Sequence, residues 1–147
     1  MARVLVTGMS GAGKSTLLAE LGRRGQRCVD TDYDGWTLPD GTWDEPRMAR
    51  LLAEHADVVV SGTVANQGTF YDRFEHVVLL SAPLEVLLAR IDRGRANPYG
   101  SSPEQRAEIV HNVGAVEPLL RRGASVELDG RLPVSDLADR LAELLHA

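Results

Sequence analysis

Gly8-Met9-Ser10-Gly11-Ala12-Gly13-Lys14-Ser15 is the stretch on which the fold turns. It satisfies the pattern G-x-x-x-x-G-K-[ST] at every fixed position. The apolar run Arg3-Val4-Leu5-Val6-Thr7 precedes it and reads as a buried strand. Lys14 to Arg24 follows with helical spacing, Leu17, Leu18 and Leu21 sharing one face. Glycines reach the positive φ that turns successive backbone N–H groups inward. The helix that follows points its positive end at the same spot. Strand, turn and helix therefore build a cradle for an anion.

Lysine usage singles out the same place. The chain has fifteen arginines and one lysine, Lys14. Where arginine serves everywhere else, a retained lysine implies a compact ammonium that a planar guanidinium cannot replace. Gly8, Ser10, Gly11, Ala12, Gly13, Lys14, Ser15 and Thr16 are thus expected to bind the phosphates of ATP. Lys14 would bridge the β- and γ-phosphates, and the Ser15 hydroxyl would ligate Mg²⁺.

The whole chain is 147 residues, 44% hydrophobic and 25% charged, with a net charge of −5. That is the size and make-up of one globular domain, residues 1–147. No apolar run approaches the roughly 20 residues that span a bilayer. The opening run stops at Gly8, too short for a signal peptide. The expectation is a cytoplasmic protein, monomer or homodimer, with no membrane partner. The acidic balance argues against a nucleic-acid surface. The single cysteine, Cys28, excludes an internal disulfide and reads as a core thiol. The four histidines lack metal-ligand spacing.

Further strands are expected at Arg27–Asp30, Asp57–Ser61, His76–Leu80 and Ser125–Leu128. Helices are expected at Glu45–His55, Pro83–Asp92, Glu104–Arg122 (bent near Pro118) and Val134–His146, with a loop over Gly62–Asp72. Strands alternating with helices specify an α/β fold with a parallel sheet and helices on both faces.

The class of reaction follows from what surrounds the cradle. An Asn-Lys-x-Asp base-reading motif is impossible when Lys14 is the sole lysine. The central strand ends in Ser61-Gly62 rather than in acidic residues, so hydrolysis as the main task lacks support. Asp30, Asp32 and Asp34 cluster at the tip of the second strand, where open α/β sheets bind ligands. One such carboxylate can assist Mg²⁺ while another takes a proton from an acceptor hydroxyl. Arg90, Arg93 and Arg95 close a helix and enter a lid at about residues 93–105. Arginines that fold over a transferring phosphoryl group stabilise its charge. Arg131, in the loop after the last strand, can frame the nucleotide base. Trp36 and Trp43 either stack on an acceptor ring or pack the cover helix, and Arg47 can meet an anion. A phosphate acceptor would call on Arg47 and Arg73.

In this order the motifs resemble the shikimate-kinase-like and nucleotide-kinase-like group of small P-loop kinases. The likeness spans nearly the whole chain: the phosphate loop, Asp30-Thr31-Asp32, Ser61-Gly62, the arginine-bearing lid, and Glu117-Pro118-Leu119-Leu120 before Val126-Glu127-Leu128-Asp129. It implies a three-layer fold with sheet order 2-3-1-4-5. It further implies Asp30 assisting Mg²⁺, Asp32 as base at the acceptor hydroxyl, Gly62 lining the acceptor site, and Arg93 or Arg95 reaching the ATP phosphates. The chain departs from true shikimate kinases twice. Ala115-Val116-Glu117 carries no cation where they place an arginine for the substrate carboxylate, and Ser61-Gly62-Thr63 replaces a triple glycine. The expected activity is ATP- and Mg²⁺-dependent phosphotransfer to a small hydroxylated metabolite. An antibiotic-modifying phosphotransferase, a nucleoside or nucleotide kinase, a sugar-acid kinase and a non-catalytic ATP sensor stay open.

Overall fold

The computed structural model describes residues 2–93 and 102–146, and of Arg93 its backbone alone. Five strands form one parallel sheet: β1 (Arg3–Thr7), β2 (Cys28–Asp30), β3 (Val58–Ser61), β4 (His76–Ser81) and β5 (Val126–Asp129). Their spatial order is β2-β3-β1-β4-β5. The six helices among the described residues are α1 (Lys14–Arg23), α2 (Glu45–Glu54), α3 (Leu84–Arg93), α4 (Pro103–Ala115), α5 (Glu117–Gly123) and α6 (Val134–Leu145).

Register explains the two-sided core. Val4 pairs with Val59 and Leu5 with Val60, so neighbouring side chains share a face. Val4, Val6 and Val59 meet Leu17 and Leu21 of α1 and Leu141 of α6. Leu5, Val58 and Val60 meet Met48 and Leu52 of α2, with Phe70, Phe74 and Trp43. Residues 58–61 are buried throughout, which only a sheet covered on both faces allows.

The structure corrects three expectations. Residues 62–72 are not all loop, because Gln67–Arg73 forms a 3₁₀ helix that buries Gln67 and Phe70. The helix expected over Glu104–Arg122 is two helices that meet at Val116. Pro118 has no N–H to continue the ladder, so α4 ends and α5 starts with that proline in its first turn. Cys28 is half-buried rather than fully in the core, since β2 is an edge strand. That burial pushes its thiol pKa up to about 11, so it is an inert neighbour of the core. No described helix is long and apolar enough to cross a membrane.

Candidate functional site

The buried polar residues of the described chain are Thr7, Thr31, Ser61 and Gln67. All four sit at or just beyond the carboxyl ends of β1, β2 and β3, where the phosphate loop emerges. Buried polar groups need partners. Thr7 and Gln67 find theirs in the wall residues Thr63, Val64 and Tyr71 and in each other. Thr31 bonds Ser61 and Trp43, and the Ser61 hydroxyl has no partner among the described residues.

Gly13 caps α1 with φ 104°, in the left-handed region, and offers no side-chain cap. By contrast Asp44 caps α2 and Ser102 caps α4 through their side chains. The first-turn N–H groups of α1 are therefore left for an anion, as the sequence leads one to expect. Gly11 lies at φ 86°, and a Cβ there would come within 2.8 Å of the Leu87 carbonyl oxygen. Only glycine lets the loop pass so close to α3.

Lys14 Nζ donates to the carbonyls of Gly8 at 2.6 Å and Met9 at 3.2 Å. Burial lowers its pKa from the usual lysine range, while Asp32 and Asp30 pull it back up. Ser15 Oγ donates to Asp30 Oδ2 at 2.7 Å, and the backbone N–H of Asp32 donates to Asp30 Oδ1 at 3.1 Å. The Asp32 carboxyl is pushed up from the ordinary carboxylate range by loss of water and by Asp30, with Lys14 opposing. Its side chain nonetheless stays open to solvent.

Three cavities share these residues. A slot of about 260 Å³ lies between Ala12, Gly13, Thr16, Arg90, Gly130 and Leu132. Next to it a cleft of about 360 Å³ is lined by Ser10, Gly11, Gly13, Lys14, Ser15 and Asp32, again touching Thr16 and Arg90. Beyond Lys14 and Asp32 opens a larger cavity of about 720 Å³. Its walls include Thr63, Val64, Gln67, Tyr71, Asn112 and Leu119. Lys14, Asp32 and Ser10 belong to both the cleft and the large cavity; Arg90, Gly13 and Thr16 to both the cleft and the slot.

Arg90 braces this arrangement. It donates to the carbonyls of Gly11 at 3.2 Å, Ala12 at 3.1 Å and Gly130 at 2.6 Å, tying the phosphate loop to the β5–α6 turn. A second brace runs from the opposite wall. Gln67 Nε2 donates to Thr7 Oγ1 at 3.1 Å, which lies 3.0 Å from Thr63 Oγ1. Thr63 Oγ1 donates to the Gly8 carbonyl at 2.6 Å and accepts from the Gly8 N–H at 3.2 Å. Its one hydrogen being committed, Thr63 receives that of Thr7. Gln67 also donates to the Tyr71 hydroxyl at 2.8 Å and accepts from the Val64 N–H at 2.8 Å.

Several expected residues lie elsewhere. Arg131 chelates Asp129, with contacts of 3.0 and 2.9 Å, beside a separate surface cavity. Arg47 donates to the carbonyls of Asp34 and Gly35, both at 2.8 Å, and stacks 3.9 Å over the Trp36 ring. Neither Asp34 nor Arg47 lines the three cavities. Trp43 is fully buried, donates its indole N–H to Thr31 Oγ1 at 2.9 Å, and meets Phe70 edge-on. It packs the cover and cannot stack on a ligand. Gly62 does not line the large cavity either. A Cβ on it would fall 2.2 Å from Thr31 Oγ1 and 3.3 Å from the Trp43 ring. Arg95 and most of the expected lid lie outside the described residues, as does the Arg93 side chain.

Thr63, Gln67, Tyr71 and Asn112 escaped the sequence reading. Gln67 and Tyr71 are four apart on the helical turn that replaces the loop expected over Gly62–Asp72, with Phe70 and Phe74 beside them.

Known structures share this architecture. A shikimate kinase from Acinetobacter baumannii in complex with shikimate superposes with a TM-score of 0.74 at 22% identity, covering 99% of this chain and 93% of that one. A deoxyadenosine kinase from M. mycoides with bound dATP gives 0.67 at 14%, covering 99% and 100%. A gluconokinase from Sinorhizobium meliloti 1021 gives 0.60 at 18%, covering 98% and 93%. No curated protein matches the chain. The order β2-β3-β1-β4-β5 and the phosphate loop thus give it the fold of small P-loop kinases. A family model described as the AAA domain matches residues 4–111, and the chain belongs to that family.

Proposed function

We propose that the protein transfers the γ-phosphoryl group of ATP to the hydroxyl of a small acceptor. One observation carries this reading: three cavities run in series, the slot joining the cleft at Gly13, Thr16 and Arg90, and the cleft joining the large cavity at Ser10, Lys14 and Asp32. The slot beside Arg90 and Leu132 suits a base, the cleft over α1 suits the phosphates, and the large cavity suits the acceptor. A hydrolase needs space for one water molecule there, not about 720 Å³.

Ser15 Oγ and the Asp30 carboxylate offer adjacent hard oxygens at the cleft, which fits a magnesium ion bound chiefly through phosphate oxygens and water. Among the described residues no cluster of three or more His, Cys, Asp or Glu could hold a metal on its own. Magnesium would neutralise charge on the phosphates. The chain's own residues do the rest. The α1 N–H groups and Lys14 orient the triphosphate, and Lys14 follows the charge as it moves to the leaving oxygen. Asp32 accepts the proton of the acceptor hydroxyl as its oxygen bonds to phosphorus and the bond to ADP breaks. A carboxyl raised above the ordinary carboxylate range is a stronger base for that step. Arg93 and Arg95 are assigned to the transferring group from the sequence.

Asp32→Asn tests the reading. Calorimetry with Mg-ATP should give an affinity near that of the parent, while phosphorylated product should fall by about 10²-fold or more. Equal product from both proteins would refute Asp32 as the base. Loss of ATP binding would make it a nucleotide ligand instead.

A further inference from the structure

Resting on that reading, we propose that the acceptor is an uncharged alcohol with an apolar face, not a carboxylate or a phosphate ester. The large cavity carries the case. Among the described residues its charged members are Lys14 and Asp32. Lys14 belongs to the phosphate cleft and is held on Gly8 and Met9. Asp32 would repel an acceptor anion.

Among the described residues, the two cations that the sequence offers to an anionic acceptor, Arg47 and Arg73, are committed elsewhere. Arg47 is bound to the carbonyls of Asp34 and Gly35 and lies flat on Trp36. Arg73 sits 5.2 Å over the Phe70 ring, beside a different cavity that it shares with Arg3 and Glu75. An anion seated without a partner forfeits its hydration for nothing, the least favourable kind of burial.

The walls supply neutral recognition instead. Val64, Val116, Leu119 and Leu120 line the cavity, and Leu119 is 59% exposed, an apolar surface that a ligand's apolar face would cover. Two polar groups point to neutral partners. The Tyr71 hydroxyl accepts from Gln67 and so keeps its own hydrogen to donate. The half-buried Asn112 carboxamide lines the cavity and can both donate and accept. Apolar walls with a few neutral hydrogen-bonding groups suit an aromatic or alicyclic body carrying several hydroxyls. The reacting hydroxyl would lie at Asp32.

The test uses the full chain with two acceptor sets. Adenosine, thymidine and 4-nitrophenyl glucoside are neutral; AMP, shikimate and gluconate are anionic. Mass spectrometry reads the phosphorylated product, and saturation-transfer NMR reads binding separately. A neutral compound should be bound or phosphorylated at least about tenfold better than every anion. Preference for any anion overturns the inference, and so does failure of all three neutral compounds to bind at millimolar concentration. Binding of the neutral compounds in preference to every anion, without product in any reaction, supports the cavity's preference for neutral hydroxylated ligands and counts against the kinase reading. Leu119→Arg places a cation at an exposed position where folding is not at risk. It should weaken the neutral ligand and strengthen gluconate or shikimate, each about tenfold, with ATP affinity unchanged. No shift in selectivity would show that this wall does not face the acceptor.

Discussion

Gly62→Ala separates packing from substrate contact. The new methyl would lie 2.2 Å from Thr31 Oγ1 and 3.3 Å from two atoms of the Trp43 indole. Thr31 is 1% exposed and Trp43 fully buried, so neither can swing out to solvent. Thr31 Oγ1 also anchors two bonds, donating to the Ser61 carbonyl at 2.8 Å and accepting from Trp43 Nε1 at 2.9 Å. Overpacking a filled site costs about 1–3 kcal/mol. A buried N–H left without its acceptor costs about 1–3 kcal/mol more. The variant should therefore lose about 2–6 kcal/mol, against a total of about 5–15 kcal/mol for an ordinary domain. At roughly 3 °C per kcal/mol for a chain of this size, Tm should drop by about 6–18 °C. Urea unfolding followed by tryptophan fluorescence measures the loss directly, since Trp43 is one of two indoles. ATP affinity measured well below the transition should be unchanged. A variant as stable as the parent, with a raised KM for its acceptor, would refute the argument and return Gly62 to the acceptor wall.

Two further outcomes follow from the site and the sheet edge. Arg90→Ala removes three bonds to loop carbonyls; ATP affinity should fall about tenfold or more, with a stability loss of about 1–3 kcal/mol. An unchanged Kd would show that the loop needs no such brace. The Cys28 thiol ionises near 9.0 when free and at about 11 in the fold. Because the unfolded chain releases that proton first, stability should be full below pH 9 and decline as pH rises towards 11. Cys28→Ala should remove that decline, and an identical profile in both proteins would assign it to another group.

The sequence and the structure agree where local rules suffice. The phosphate loop was legible because its glycines, its lysine and the helix behind it are contiguous, and each meets a requirement that no other residue type meets. The strands were legible because Val58-Val59-Val60 is buried on both faces and cannot be a surface helix. The acceptor side was not legible in the same way. For Trp43 the sequence leaves a ligand platform and cover packing equally open, because an indole in a polar loop gives no hint of what covers it; only the fold brings Thr31 and Phe70 to it. Arg47 looked free because its partners, the carbonyls of Asp34 and Gly35, are backbone atoms that any sequence supplies. Thr63 and Gln67 carry no motif, and their roles arise from the meeting of β1 and β3. Contacts between distant segments decide the large cavity, while adjacent residues decide the cradle.

The half-buried Lys14 has a practical consequence. Apart from the terminal amine, its ε-amino group is the chain's entire stock of primary amines. That group lies against two loop carbonyls in the cleft proposed to hold the triphosphate. Any acylating reagent, cross-linker or acetyl donor that reaches a lysine here reaches the proposed nucleotide site. Amine labelling is thus a footprint of occupancy by design, and immobilising the protein through lysine would silence it.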